Sequence, residues 1–381
     1  MKNFTYQNPT KIIFGENTIP QIGGELEANG VKKVLLTYGK KSIKENGVYN
    51  QVIKSLQDKK IEWVEYSGIQ SNPLLSHANE GAKYAVANEV DAILAVGGGS
   101  VIDESKGIAA GAKYAGCIWD LILGKAQVKD ALPVYTILTI PATGSEMNMG
   151  LVLTNDETLD KFGWGNPKLY PKVSILDPSV TLTVPKNQTA FTSIDIIAHS
   201  IEAYFTKEDN DTPYLDGYVE NLVKSVIISV DRILENPKDL NARANLMWTA
   251  TNAWNGTNHC GVGSFFLNNH QMEHPISAVY NLAHGEGLSI LIPAWMKHFK
   301  EQKREKLSQF FKAIFGNANV EEGINKFQLW FQKIGAPTTF TQAGIENVDI
   351  KKLTSLAKRC GDHRGTNLTE DDLKSIYTLV K

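Results

Sequence analysis

The chain has 381 residues, and 39 Lys plus Arg face 41 Asp plus Glu, a net charge of −2. That length suits two domains, and the near balance of charge excludes a coat for nucleic acid or an anionic-membrane binder. A composition of 42% hydrophobic and 21% charged residues excludes a disordered chain.

The three cysteines, Cys117, Cys260 and Cys360, lie far apart with no CxxC pair. This excludes a disulfide scaffold and a cysteine-built zinc site, and predicts a cytoplasmic protein with reduced thiols. No apolar run reaches the ~18–20 residues of a membrane span. The start, Met1-Lys2-Asn3-Phe4-Thr5, has no apolar signal region.

In chain order, residues 11–14 offer an edge strand that can pair across a two-fold axis, which predicts a homodimer. Continuous apolar runs at 34–38, 92–96 and 135–140 end at Gly39, at Gly97-Gly98-Gly99 and at Pro141. Such runs suit strands covered on both faces. Residues 76–90 carry Ala78, Ala82, Ala85 and Val86 on one helical stripe, and another helix begins at Ser100. Strand and helix alternation predicts an α/β domain with a parallel sheet. After Asp177-Pro178 the strand-like runs stop. Helical patterns follow over 185–206, 213–234, 240–254, 271–282, 288–301, 304–315 and 321–334. The predicted boundary places a Rossmann-like domain at 1–184 and an all-helical domain at 185–381. The charge cluster at 297–306 reads as a solvated helix face.

Gly97, Gly98, Gly99 and Ser100 join a strand to a helix. Glycines allow close backbone approach to a phosphate, and the first N–H groups of the helix point at it. A tight turn is the competing reading, because the loop is neither a P-loop nor GxGxxG. Its position after a strand favours a ligand. A second polar turn, residues 141–148, offers Thr143 and Ser145 to a ribose or nicotinamide, or as plain turn caps. The loop Gly39-Lys40-Lys41-Ser42 holds no acid until Glu45. A basic, hydroxyl-bearing loop there accommodates a 2′-phosphate, so NADP(H) is favoured over NAD(H); solvated lysines are the alternative.

Asp195 and His199 stand at i and i+4, as do His270 and His274, and His284 follows ten residues later. On helices such pairs share a face. A carboxylate with several imidazoles suits Fe(II), Zn(II) or another first-row divalent ion. A lone HxxxH is more often structural; two such pairs plus His284 in one helical domain make a metal site as good a reading as a structural one.

The glycine loop GGGSVIDESK, the turn PATGSEMN, Lys161-Phe162-Gly163, SIDIIAHSIEAY and NHQMEHPISAVYNLAHGEG occur in one order. Together they resemble the iron-containing (group III) alcohol dehydrogenases, in the branch of NADPH-dependent butanol dehydrogenases and aldehyde reductases, from Asn8 to about Leu379. The resemblance implies a dehydroquinate synthase-like architecture, a Rossmann-like domain and a helical domain with the active site in the cleft. It implies metal ligation by Asp195, His199, His270 and His284. His274 falls near the substrate, as a proton relay or as support for His270. The implied cofactor contacts are Asn72, Gly98, Gly99, Ser100, Asp103, Thr139, Thr143, Ser145, Lys161 and Leu182. Implied substrates are short- to medium-chain primary alcohols and aldehydes, with hydride transfer at a metal-polarised oxygen. Walls of Trp254, Phe265, Phe266 and Tyr280 would suit an apolar chain. The rivals are a metal- and NAD-dependent lyase of the dehydroquinate synthase type and a non-catalytic sensor. The lyase is disfavoured because residues 254–290 hold no Lys or Arg. Nucleic acid and membrane partners are not expected.

Overall fold

The structure, a computed structural model, describes residues 1–381 and divides into two compact units. Residues 7–184 form the first. Its elements run β1 (Lys11–Phe14), α1 (Ile22–Ala28), β2 (Lys33–Tyr38), α2 (Ser42–Glu45), α3 (Val48–Asp58), β3 (Glu62–Ser67) and α4 (Leu75–Ala87). They continue with β4 (Ala92–Gly97), α5 (Gly99–Gly111), α6 (Ile118–Ile122), β5 (Val134–Leu138), β6 (Gly150–Thr154), β7 (Lys161–Gly165) and β8 (Val173–Leu176). Six strands form one parallel sheet in the order β1-β8-β5-β4-β2-β3, and β6 and β7 pair as a separate antiparallel hairpin.

The apolar runs form strands because helices cover both faces. Along β2 and β4, Val34, Leu36, Leu94 and Val96 pack on one side with Ile22, Leu26 and Val52 of α1 and α3. Leu35 and Ile93 pack on the other with Ala85 of α4 and Ile108 of α5. β3 escapes the apolar-run criterion because it is an edge strand. Glu62 and Glu65 interrupt it, and charge is how exposed edges avoid unwanted pairing.

All six strands point the same way, so every loop at a carboxyl end lies along one edge of the sheet. From β2 the chain moves outward to β3, and from β4 it moves the other way to β5. The loops after β2 and β4 therefore flank the topological switch point, where open α/β sheets bind ligands.

The second unit holds residues 185–381 together with Met1–Tyr6. The first six residues thus leave the unit that the sequence boundary gave them. Lys2 N–H donates to the Gly261 carbonyl at 2.8 Å, the Met1 amino group meets Asp209 at 2.8 Å, and Lys2 meets Glu208 at 2.9 Å. The helices are α7 (Lys186–Thr206), α8 (Pro213–Glu235), α9 (Leu240–Ala253), α10 (Asn268–Tyr280), α11 (His284–His298), α12 (Arg304–Phe315), α13 (Val320–Lys333), α14 (Ile350–Arg364) and α15 (Glu370–Leu379). They share one core, with Trp295, Phe310, Phe311, Phe327 and Phe331 fully or almost fully buried within it.

Two local expectations shift. α11 begins at His284 rather than near residue 288. Gly285 and Gly287 weaken the helical pattern, but their lack of side chains is what lets this turn pack. A Cβ on Gly285 would lie 1.8 Å from the Phe191 carbonyl oxygen. The cluster at 297–306 is not uniformly solvated either. Part-buried Lys303 donates to the Phe205 carbonyl at 2.7 Å, and Lys306 pairs with Asp216. No helix is long and apolar enough to cross a membrane.

Candidate active site

Three helices of the second unit bring the sequence-predicted metal residues together. α7 supplies Asp195 and His199 on one face, α10 supplies His270, and His284 opens α11. Asp195 Oδ1 stands 3.5 Å from His284 Nε2, 3.7 Å from His270 Nε2 and 3.1 Å from His199 Nδ1. Asp195, His199 and His270 are all buried.

The outward-facing ring nitrogens are already committed. His199 Nδ1–H donates to the Asp195 carbonyl at 2.9 Å, which explains why its close approach to Asp195 Oδ1 is not a hydrogen bond. His270 Nδ1–H donates to Glu202 at 2.9 Å, and His284 Nδ1–H donates to Glu273. Asp195 Oδ1 and His270 Nε2 are left buried with no hydrogen-bond partner. Burial without a partner costs ~1–3 kcal/mol or more per group, so these atoms need one. Burial alone would raise the Asp195 carboxyl, yet the charges of His199 and His284, with the close approach of the His199 and His270 rings, hold it well below the usual carboxylate range. Burial opposes the proton on His270, but Asp195 and Glu202 outweigh it and push the imidazole up to about 9. The Asp195 carboxylate, His199 and His270 gather their ligand atoms closely, with His284 Nε2 3.5 Å from Asp195 Oδ1, a donor set that fits a divalent first-row ion.

Sequence reasoning missed Glu202 and Glu273. A signal existed: each lies three residues after a histidine of the cluster, Glu202 after His199 and Glu273 after His270. Each orients a histidine on another helix, His270 of α10 and His284 of α11, rather than its own neighbour.

His274 is buried on α10, its ring centroid 6.2 Å from that of His270 and 5.7 Å from that of His284. Trp254, Phe265 and Phe266 line a cavity of about 200 Å³ that reaches His270 and His274. Tyr280 does not join them; its hydroxyl accepts from the Asp349 N–H at 2.9 Å. Cys260 is partly buried, with its thiol 3.1 Å from the Gly256 carbonyl oxygen.

In the first unit, the glycine loop and the second polar turn meet. Gly98 caps α5 from an extended conformation. A Cβ on Gly99 would lie 2.3 Å from Thr143 Oγ1, so only glycine permits this approach. Thr139 N–H donates to the Gly97 carbonyl at 3.0 Å, Ser145 Oγ–H donates to Asp103 at 2.6 Å, and Ser100 Oγ–H to the Ser71 carbonyl at 2.6 Å. Lys161 donates to Asn72 at 2.9 Å. The α5 N-terminus at this turn presents unpaired N–H groups suited to a pyrophosphate. Gly39, Lys40, Lys41 and Ser42 follow β2 across the switch point, with both lysines exposed. Lys44 is drawn away to Glu65 at 3.2 Å, beside Tyr38 and Tyr49. Leu182 lies apart, in the short turn Pro178–Thr183, 37% exposed.

Lys106 carries no mark in the sequence beyond its place in α5. It is fully buried, and its ammonium donates to Ser145 O and Oγ, Asn148 O and Oδ1 and Gly150 O at 2.7–3.3 Å. Burial lowers its pKa to about 8.

A phosphate-type loop at a switch point, in a chain whose helical unit gathers Asp and three His around partnerless buried atoms, defines a metal-dependent dinucleotide oxidoreductase. Residues 9–178 match the family model for iron-containing alcohol dehydrogenase, and residues 189–380 match that for the C-terminal part of the Fe-containing alcohol dehydrogenase family. The chain belongs to the iron-containing alcohol dehydrogenase family, whose enzymes interconvert alcohols and aldehydes. It is 40% identical to probable NADH-dependent butanol dehydrogenase 1 of Bacillus subtilis, over 99% of each chain. It is 33% identical to the NADPH-dependent aldehyde reductase YqhD of Escherichia coli, over 97% of this chain and 96% of that one. The crystal structure of NADH-dependent butanol dehydrogenase A from Thermotoga maritima superposes with a TM-score of 0.96 at 42% identity, covering 100% of this chain and 99% of that one.

Proposed function

We propose that the protein is a metal-dependent alcohol dehydrogenase acting as an aldehyde reductase on short- to medium-chain substrates. The observation that carries this reading is the convergence of Asp195, His199, His270 and His284 around two buried atoms without partners. In the proposal, residues 185–381 hold the metal and residues 7–184 hold the nucleotide.

When bound, the ion supplies Lewis acidity at the substrate oxygen and the nicotinamide supplies or accepts hydride. The chain's own residues do the rest. Glu202 and Glu273 fix the rings of His270 and His284, so that neither must reorganise on binding. Trp254, Phe265 and Phe266 give the cavity an apolar wall for the substrate chain. His274 is the proposed proton relay for the substrate oxygen, since imidazole exchanges protons near neutral pH. The α5 N-terminus and Gly99 take the pyrophosphate, while Thr143, Ser145 and Asp103 line the turn beside it, with Asn72, Lys161, Thr139 and Leu182 as further contacts.

Lys40 and Lys41 favour NADPH over NADH, because both are exposed beside Gly39 while Lys44 is held by Glu65. The relatives divide on this point: the two butanol dehydrogenases are NADH-dependent and the aldehyde reductase is NADPH-dependent. We further propose a homodimer through the edge strand β1, where Ile12 and Ile13 are half-buried and Phe14 is 41% exposed. The test is steady-state oxidation of NADPH and of NADH with butyraldehyde, alongside metal analysis of the same sample. Metal-dependent oxidation with a lower KM for NADPH is expected. A lower KM for NADH overturns the reading of Lys40 and Lys41, and turnover by metal-stripped protein overturns the metal role.

A further inference from the structure

Imidazoles aside, the cavity beside His270 and His274 has one cationic side chain in its wall, an arginine. Residues 254–290 supply none, so the lysine- and arginine-free metal block predicts a neutral pocket. The charge arrives instead from α14, distant in sequence, whose last residue is Arg364. Cys360 and Arg364 stand at i and i+4 on α14, on one helical face. Cys360 Sγ lies 3.8 Å from His274 Nδ1. From the His274 end, Arg364 is therefore one turn further along the same wall, about 6 Å along the helix axis.

Arg364 makes no hydrogen bond and no ion pair in its own unit. Other cations of this unit are committed to carboxylates: Lys207 and Lys306 to Asp216, Lys358 to Asp362. A C-terminal position on a helix explains why a cation is tolerated there. It does not explain why the side chain lines the cavity, where the Glu202 carboxylate acts on it through charge alone, with no hydrogen bond or ion pair between them. Arg364 stays in reach of solvent at the rim, and the surrounding protein depresses its pKa by desolvation; guanidinium nevertheless stays charged. A planar fork without a partner, at the end of an aromatic-walled cavity of about 200 Å³, matches a carboxylate bidentately.

We propose that Arg364 is a specificity-determining residue that binds a terminal carboxylate, so the preferred substrate is a short ω-carboxy aldehyde or the corresponding ω-hydroxy acid. The aldehyde end lies toward His270 and His274 and the carboxylate at Arg364, a spacing that suits a chain of four to five carbons. This rests on the dehydrogenase reading above and narrows its substrate.

The experiment compares succinate semialdehyde with butyraldehyde, the same four-carbon chain with and without the carboxylate, using the metal-loaded enzyme and NADPH or NADH. The readout is the ratio of the two kcat/KM values in wild type, R364Q and R364K. A charge-assisted pair in a partly solvated site gives about 10- to 100-fold preference for the acid in wild type. Most of it should be lost in R364Q through KM, and part of it retained in R364K. Titration calorimetry with succinate, which carries no aldehyde, should show binding to wild type weakened at least about tenfold in R364Q. A wild-type ratio near one, or a ratio unchanged in R364Q, overturns the inference and leaves the dehydrogenase reading standing. If neither aldehyde oxidises either nucleotide, but succinate binding still depends on Arg364, the dehydrogenase reading falls and the anion site stands.

Discussion

Glu202 Oε1 accepts two hydrogen bonds from His270, one from the ring Nδ1 at 2.9 Å and one from the backbone N–H at 3.0 Å. A single carboxylate on α7 thus fixes both the ring and the α10 backbone that carries it. With Glu273 of α10 holding His284 of α11, α7 steers a histidine of α10 and α10 one of α11. Outer partners of this kind contribute roughly 10- to 100-fold to metal affinity. E202Q keeps an acceptor but loses the charge, so a weakening of about tenfold is expected. E202A loses both and should approach the upper end. Metal content after dialysis at graded free-metal concentration measures this. Equal affinity in wild type and E202A refutes it.

The parallel sheet and the clustering of Asp195, His199, His270 and His284 were legible in the sequence for one physical reason. Buried strands read as apolar runs, and i, i+4 pairs on a helix read as shared faces. What escaped recognition depends on neighbours far away in the chain. β3 pairs only as an edge, so its glutamates mask it. α11 starts at a glycine-rich turn that is helical only because Gly285 fits against α7. Lys106 and Arg364 look like ordinary charged residues on helices until packing shows one buried among five oxygens and the other facing a cavity. The acids Glu202 and Glu273 had a local signal, the i+3 spacing after a histidine, but their partners sit on other helices, which no local pattern encodes.

Lys106 ties α5 to the turn 143–150, so the glycine loop and the second polar turn are set by one ammonium. K106M leaves five buried or half-buried oxygens without their donor. Breaking a buried charged contact from one side costs about 3–5 kcal/mol. The variant should melt several degrees lower, and, where it folds, it should bind the nucleotide more weakly, because Thr143 and Ser145 lose their frame. Thermal melting and nucleotide titration read the two effects separately. Melting like wild type would contradict the role.

Gly285 tests the coupling of packing to the metal residues. An added methyl meets the Phe191 carbonyl oxygen at 1.8 Å, which backbone atoms cannot tolerate. The first turn of α11 must move, and His284 moves with it. G285A should cost about 1–3 kcal/mol of stability, as overpacking does, and should lose bound metal. G217A in α8, where nothing lies within 4 Å of a new Cβ, serves as the control and should retain metal. Full metal retention in G285A refutes the coupling.

His259 gives a pH dependence with a defined sign. Its ring packs 5.1 Å from those of Trp254 and Phe265, and burial lowers its pKa to about 4. The unfolded chain's imidazole titrates near its ordinary value of about 6.5. Above that pH both states are neutral at this position and the contribution to stability is complete. As pH falls from 6.5 toward 4, the unfolded chain takes up a proton that the folded protein refuses, so stability is lost across that window. Below about 4 the loss stops growing. The linkage has an upper bound of about 3 kcal/mol, and residual solvent contact reduces it to roughly 1–3 kcal/mol. H259F keeps the aromatic packing and removes the titration. Denaturant unfolding of both proteins between pH 4 and 7 should give a difference in stability that changes by that amount, with wild type losing more on acidification. Parallel curves for the two proteins would show that His259 is not held neutral by burial.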